Sequence, residues 1–142
     1  MALKELSLNE IKIDDKASFV VEISNRDIER FTELSGDNNP LHCDSQYAKA
    51  SGFTNNVAHG LLVSSFFSRM IGMELPGKNA LILKLQFRFL KPVVVPATVN
   101  FTAVVRNVNL STQTIELQLS ATTENEVKVK GEALVKVRDF EG

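Results

Sequence analysis

The segment from Ser35 to Asp44, SGDNNPLHCD, holds the residues best suited to acid–base chemistry. Asp37 and His42 are separated by a turn that the ring of Pro40 stiffens. Such a loop can direct both side chains at one point, and a carboxylate beside an imidazole can bind, orient and deprotonate a water molecule. The alternative is that Asp37 only caps a turn, as Asp often does, and that His42 packs.

A second candidate segment is VAHGLL, in which Gly60 begins a predicted helix. The N–H of a first helical residue has no partner within its helix and lies at the positive end of the helix dipole. Such a donor suits a developing oxyanion, and glycine lets a carbonyl approach closely. Alternatively, Gly60 only allows close packing of helix on sheet. His59 either lines the pocket or orients the Asp37–Asn39 loop, and Asn39 is expected to hold that loop in shape.

One face of the same helix carries Gly60, Ser64, Ser68 and Ile71, at intervals of 4, 4 and 3 residues. Two hydroxyls on an apolar, buried helix need partners, since an unpaired buried hydroxyl costs roughly 1–3 kcal/mol. They bond either to carbonyls one turn earlier or to a polar substrate. We favour the substrate for Ser68, and we expect Ile71 to line a tunnel and to limit the length of what enters it.

The elements that must position these residues are a buried helix and a long sheet. A first helix is predicted from Ser24, its N-cap, to Gly36, and a loop with one short helix at 46–50 follows. The helix over 60–73 is apolar on nearly every side, which predicts burial on nearly every side. Strands are predicted at 17–23, 80–90, 97–108, 112–122 and 127–137, with turns at 107–111 and 124–125.

This order of elements predicts an α+β hot-dog fold, an antiparallel sheet wrapped around a central buried helix, because nothing else in the chain can cover that helix. Gly131 is expected to mark a bulge or a close approach within the last strand. The edges of such a sheet stay unpaired in a monomer, so we expect a homodimer.

Composition excludes several classes of function. Sixteen basic and seventeen acidic side chains give no basis for binding nucleic acid, nor for membrane attachment through a basic patch. The single cysteine, Cys43, excludes an internal disulfide, and with two histidines no metal site is expected. No signal peptide and no membrane span is predicted, so we expect one domain over residues 1–142 in the cytoplasm.

Together, SGDNNPLHCD, VAHGLL and the serine on the following helix resemble the MaoC-like, (R)-specific enoyl-CoA hydratases. The resemblance runs from the helix of Ile28 and Phe31 to the strand after Lys78. It implies that Asp37 and His42 form the catalytic pair, that the Gly60 N–H is the oxyanion donor, and that Ser68 is the helix serine of the site. Asn39, His59, Ser64 and Ile71 are then the candidate substrate-binding residues.

The resemblance further implies reversible hydration of a trans-2-enoyl-CoA to an (R)-3-hydroxyacyl-CoA by a homodimer. No cofactor is expected, because coenzyme A is part of the substrate. Its phosphates call for Lys or Arg at the pocket mouth, where the sequence offers Lys84, Arg88 and Lys91 without distinguishing them. The alternative functions are a hot-dog acyl-CoA thioesterase and a non-catalytic acyl-carrier-binding module.

Overall fold

The computed structural model describes residues 2–138, and it contains the strands and the principal helices that the sequence pattern predicts. Among these residues, no helix is both long and apolar enough to cross a lipid bilayer. The loop before the central helix contains two short helices rather than the one predicted. In chain order the elements are β1 Lys16–Ile23, α1 Asn25–Ser35, α2 Pro40–Cys43, α3 Ser45–Ala50, α4 Gly60–Arg69, β2 Ala80–Phe89, β3 Ala97–Asn109, β4 Thr114–Thr123 and β5 Glu126–Val137.

The five strands form one antiparallel sheet in the order β1-β3-β4-β5-β2, so β1 and β2 are its edges. The predicted turn between β4 and β5 is confirmed: Glu124 and Asn125 both have positive φ, 50° and 62°, as the tightest hairpins require. The turn between β3 and β4 lies later than predicted, at residues 110–113. The reason is that Asn107 and Asn109 still pair with β4.

Helix α4 runs directly into a π-helical segment, Met70–Glu74, and the two lie against one face of the sheet. Phe67 is fully buried there, with its ring 5.3 Å from that of Phe101 on β3 and 5.4 Å from that of Phe87 on β2. The α+β class and the helix against a curled antiparallel sheet are therefore confirmed.

The expectation that this helix is buried on nearly every side is wrong for the single chain. Leu61 is 67% exposed, and Ser65, Ser68 and Arg69 are exposed as well. The sheet covers one side of α4, and residues 2–138 form no further layer over the other side. The helix therefore has a buried apolar face and an exposed face on which Leu61 lies among two serines and an arginine.

Of the two roles expected for Gly131, the structure shows the close approach of a neighbouring strand and not a bulge. A Cβ at this position would lie 2.5 Å from Phe87 Cδ1 and 2.7 Å from the backbone oxygen of Gln86. The pairing of β5 with its neighbours passes through Gly131 without a shift in register. Gly131 thus lets the Phe87 ring lie directly against β5, and the same ring contacts Phe67 of α4.

Candidate active site

Hydrogen bonds between residues two positions apart in the sequence hold the Asp37 loop. Gly36 adopts the left-handed conformation, with φ 79°, and ends α1. The Asp37 N–H then donates to Ser35 Oγ at 3.1 Å, and the Asn39 N–H donates to Asp37 Oδ1 at 3.3 Å. Asn39 in turn caps α2, since its Oδ1 accepts from the Leu41 N–H at 3.0 Å. These bonds show Asn39 holding the loop, and its assignment to substrate binding stays a prediction.

His42 lies on α2 and is fixed from one side by a backbone carbonyl. Its Nδ1 lies 2.6 Å from the oxygen of Val57. A carbonyl only accepts, so Nδ1 carries the proton and donates it. In the neutral imidazole Nε2 then holds the free lone pair, which is the state that a general base requires.

His59 is buried at the N-terminus of α4 and contacts two other rings. It stacks on His42 with the ring centroids 3.9 Å apart, and the Phe31 ring lies 4.7 Å away, tilted by 56°. Its Nε2 donates to the backbone oxygen of Asp37 at 3.0 Å, with Thr32 Oγ1 3.3 Å from the same nitrogen. His59 therefore holds the Asp37 backbone as well as bordering the cavity described below.

These contacts bring Asp37, His42 and His59 together, each offering one atom within 4.8 Å of the other two. Asp37 is exposed, His42 half-buried and His59 buried, so the cluster reaches from the surface inward. Two imidazoles and a carboxylate are also a set that can ligate a divalent metal. The counting of histidines in the sequence did not foresee this convergence, because it depends on how α2 meets the start of α4.

Gly60 is the first residue of α4, as predicted, and within residues 2–138 no hydrogen bond occupies its N–H. The Phe89 ring of β2 lies directly on it: a Cβ at residue 60 would be 2.8 Å from Phe89 Cε1. The side of Gly60 that faces β2 therefore has no room for a side chain.

A cavity of about 500 Å³ joins these groups. Its polar wall contains Asp37, His42, His59 and the start of α4, and its apolar wall comes from two later segments of the chain. Sequence reasoning missed that apolar wall, because its residues lie far from both motifs and are ordinary hydrophobics in type. They are Phe89, Leu90, Pro92, Val93 and Val129.

The other predicted site residues lie outside this cavity as the single chain forms it. Asn39 faces the loop, Ser68 is on the exposed face of α4, and Ile71 is fully buried in the core. Ser64 is buried, and its Oγ has no hydrogen-bond partner within the described part of the chain. Neither of the two partners expected for Ser64 is present, and the roles assigned to Ser64, Ser68 and Ile71 stay predictions.

Comparison with known proteins identifies this arrangement. Residues 8–127 match the family described as the MaoC like domain. The chain belongs to the MaoC-like family. It is 34% identical to an (R)-specific enoyl-CoA hydratase of Rhodospirillum rubrum over 128 residues, which cover 90% of this chain and 89% of that protein. The resemblance drawn from the two motifs is therefore confirmed.

Solved structures show the same fold for this MaoC-like chain. The (R)-hydratase from Aeromonas caviae superimposes with a TM-score of 0.87 and 30% identity, covering 90% of this chain and 98% of that one. An (R)-hydratase from Pseudomonas aeruginosa superimposes with a TM-score of 0.91 and 27% identity, covering 96% and 88%. The predicted hot-dog fold is thus confirmed, and the protein is a hydratase-family member acting on acyl thioesters.

Proposed function

We propose that this MaoC-like protein catalyses the reversible hydration of a trans-2-enoyl-CoA to the (R)-3-hydroxyacyl-CoA. The observation that carries the proposal is that Asp37, His42 and Gly60 line one cavity. A water-activating pair and an oxyanion donor are what addition of water to a conjugated thioester needs. The (R) configuration rests on the likeness to relatives that are named (R)-specific.

In the proposed mechanism the β-carbon becomes electrophilic as charge moves onto the thioester oxygen. The Gly60 N–H stabilises that oxygen, a contribution of about 3 kcal/mol in other oxyanion holes. His42 Nε2 accepts a proton from the water that Asp37 helps to orient, and the water oxygen bonds to the β-carbon. The pair then returns a proton to the α-carbon, so the proposed chemistry takes no electrons and releases none.

The thioesterase alternative differs in where the water attacks. Hydrolysis would place it at the thioester carbonyl and release coenzyme A, whereas hydration leaves the thioester intact. Crotonyl-CoA separates the two: loss of absorbance from the conjugated double bond without free thiol supports hydration. Appearance of thiol would contradict it, and binding without either change would support the acyl-carrier-binding module.

The catalytic pair is tested by Asp37→Asn and His42→Ala. Each variant is expected to lose about 10²–10⁴-fold in turnover, the usual contribution of a general acid or base. Glu116→Gln, which changes a carboxylate on β4 outside the cavity, is the matched control. Near-wild-type turnover by either site variant would contradict the mechanism. Activity lost on dialysis against a chelator would instead point to a metal held by Asp37, His42 and His59.

A further inference from the structure

The structure distinguishes the three cations that the sequence offers for a phosphate. Side chains alternate along a strand, so Arg88 points away from the face of β2 that carries Phe87 and Phe89. The cavity of about 500 Å³ that Asp37, His42 and Gly60 line is called the catalytic cavity below. Lys84 lines a separate groove on the sheet, which shares no residue with this cavity. Lys91, just beyond the end of β2, lines the catalytic cavity itself.

Lys91 belongs to a small ion cluster with two residues of β5. Its Nζ lies 3.2 Å from Glu126 Oε2, and Lys128 Nζ lies 2.8 Å from Glu126 Oε1. The side chain of Lys128 is only 18% exposed, against 56% for Lys91. Hydrogen bonds from Lys128 and then Lys91 lower the pKa of Glu126, so its carboxylate stays ionised. Two ammonium groups and one carboxylate leave one positive charge at the cavity edge.

The backbone fixes the two lysines relative to each other. The N–H groups of Leu90 and Lys91 both donate to the backbone oxygen of Lys128, at 2.8 and 3.2 Å. Lys91 therefore cannot move away from Lys128 without breaking these bonds. Glu126, bound to both ammonium groups, holds their side chains at one place.

A second groove begins where the catalytic cavity ends. It measures about 830 Å³, and Pro92 and Val93 line both spaces. Lys128 lines this groove, whose other polar groups include Thr54, Asn55 and the carboxylate of Glu124. The Lys91–Glu126–Lys128 cluster thus lies between the catalytic cavity and an open, polar groove.

We propose that Lys91 and Lys128 bind a phosphate of the carrier arm, where the arm leaves the catalytic cavity over Pro92 and enters the second groove. The inference rests on the proposed function, since it takes the ligand to be a thioester whose reacting end lies at Gly60. A lysine ammonium is a common partner for phosphate, and the cluster offers two with one excess positive charge. The phosphate can come from coenzyme A or from the phosphopantetheine of a carrier protein.

The test compares three crotonyl thioesters: that of coenzyme A, that of pantetheine 4′-phosphate, and that of pantetheine, which has no phosphate. Lys91→Gln and Lys128→Gln are each expected to raise the ratio of KM for crotonyl-CoA to KM for crotonyl-pantetheine about tenfold, the loss of one charge-assisted hydrogen bond. Glu126→Gln, which removes the competing carboxylate, is expected to lower the same ratio. Arg88→Gln, on the face of β2 that points away from Phe87 and Phe89, is the matched control.

The phosphorylated pantetheine thioester identifies the source of the phosphate. A tenfold effect on it as well as on crotonyl-CoA shows that the pantetheine phosphate is bound, as a carrier protein would also present it. An effect on crotonyl-CoA alone shows that the phosphates of the nucleotide end are bound. Either result supports the proposal, whereas equal effects on all three thioesters, or no effect on any, would overturn it.

Calorimetric titration with coenzyme A makes the test independent of turnover. The two lysine variants should weaken binding of coenzyme A about tenfold, while Arg88→Gln should not. If the wild-type protein hydrates none of the thioesters, the proposed function fails, and the titration still decides whether the lysines bind phosphate. Unchanged affinity in both lysine variants would refute the phosphate site even in an active hydratase.

Discussion

Substitution of Gly60 by alanine tests the proposed oxyanion donor most directly. The added Cβ would lie 2.8, 3.0 and 3.2 Å from three carbons of the Phe89 ring, all well inside van der Waals contact. Phe89 is 53% exposed, so its ring can swing outward rather than force the backbone apart. We therefore expect Gly60→Ala to fold, with the ring displaced from its place against the start of α4.

The effect on stability should be small because two terms oppose each other. Alanine in a helix is favoured over glycine by up to about 1 kcal/mol. The displaced ring gives up part of its packing, and a half-exposed ring has less packing to lose than a buried one. We expect the free energy of unfolding to change by no more than about 1 kcal/mol, which a urea titration can measure.

The effect on turnover should be much larger. The new methyl group and the outward shift of the Phe89 ring change the cavity wall beside the Gly60 N–H, so we expect a thioester oxygen to be kept beyond hydrogen-bond distance of it. Loss of one oxyanion donor costs about 10²–10³-fold in kcat. Gly72→Ala is the matched control, because a Cβ there meets nothing within 4 Å. If folded Gly60→Ala hydrates crotonyl-CoA at the wild-type rate, the oxyanion is not at Gly60.

Two further predictions concern assembly and chain length. Sedimentation at micromolar concentration should show a homodimer, because the edge strand β2 leaves Leu81 and Leu83 about half exposed and α4 leaves Leu61 exposed. Leu83→Lys should weaken that dimer. A wild-type monomer would contradict the prediction. Ile71→Ala removes a fully buried side chain and should cost about 2–5 kcal/mol of stability. If Ile71 borders the acyl tail, as its spacing in the helix predicts, the variant should also shift its preference toward longer enoyl-CoAs, whereas an unchanged preference would show that Ile71 only packs in the core.

Local signals in the sequence predicted most of the fold. Gly36 ends α1, and the Glu124–Asn125 turn joins β4 to β5, because each needs a backbone conformation that few residue types adopt readily. The burial of α4 was predicted wrongly because it depends on what packs against the helix rather than on local backbone conformation. Apolar residues such as Leu61 indicate that a surface favours burial, but not what covers that surface.

The candidate site likewise has a part that the sequence predicted and a part that it could not predict. The Asp37 loop and Gly60 could be found from the sequence, since turn chemistry and helix ends depend on neighbouring residues. Phe89 could not, because its contact with Gly60 depends on how β2 lies against α4. Nor could the Val57 carbonyl that binds His42, since a backbone oxygen leaves no mark in a sequence.

The two histidines show why that carbonyl matters to the chemistry. Each imidazole donates one ring proton to a backbone oxygen, but through opposite nitrogens: Nδ1 in His42 and Nε2 in His59. The remaining nitrogen of His59 is Nδ1, which is buried and has no partner within residues 2–138. The remaining nitrogen of His42 is Nε2, on a half-buried ring that lines the cavity. These backbone contacts support His42 as the base of the proposed mechanism and His59 as the residue that holds the Asp37 loop. The two rings stack against each other, and the sequence alone could not rank them.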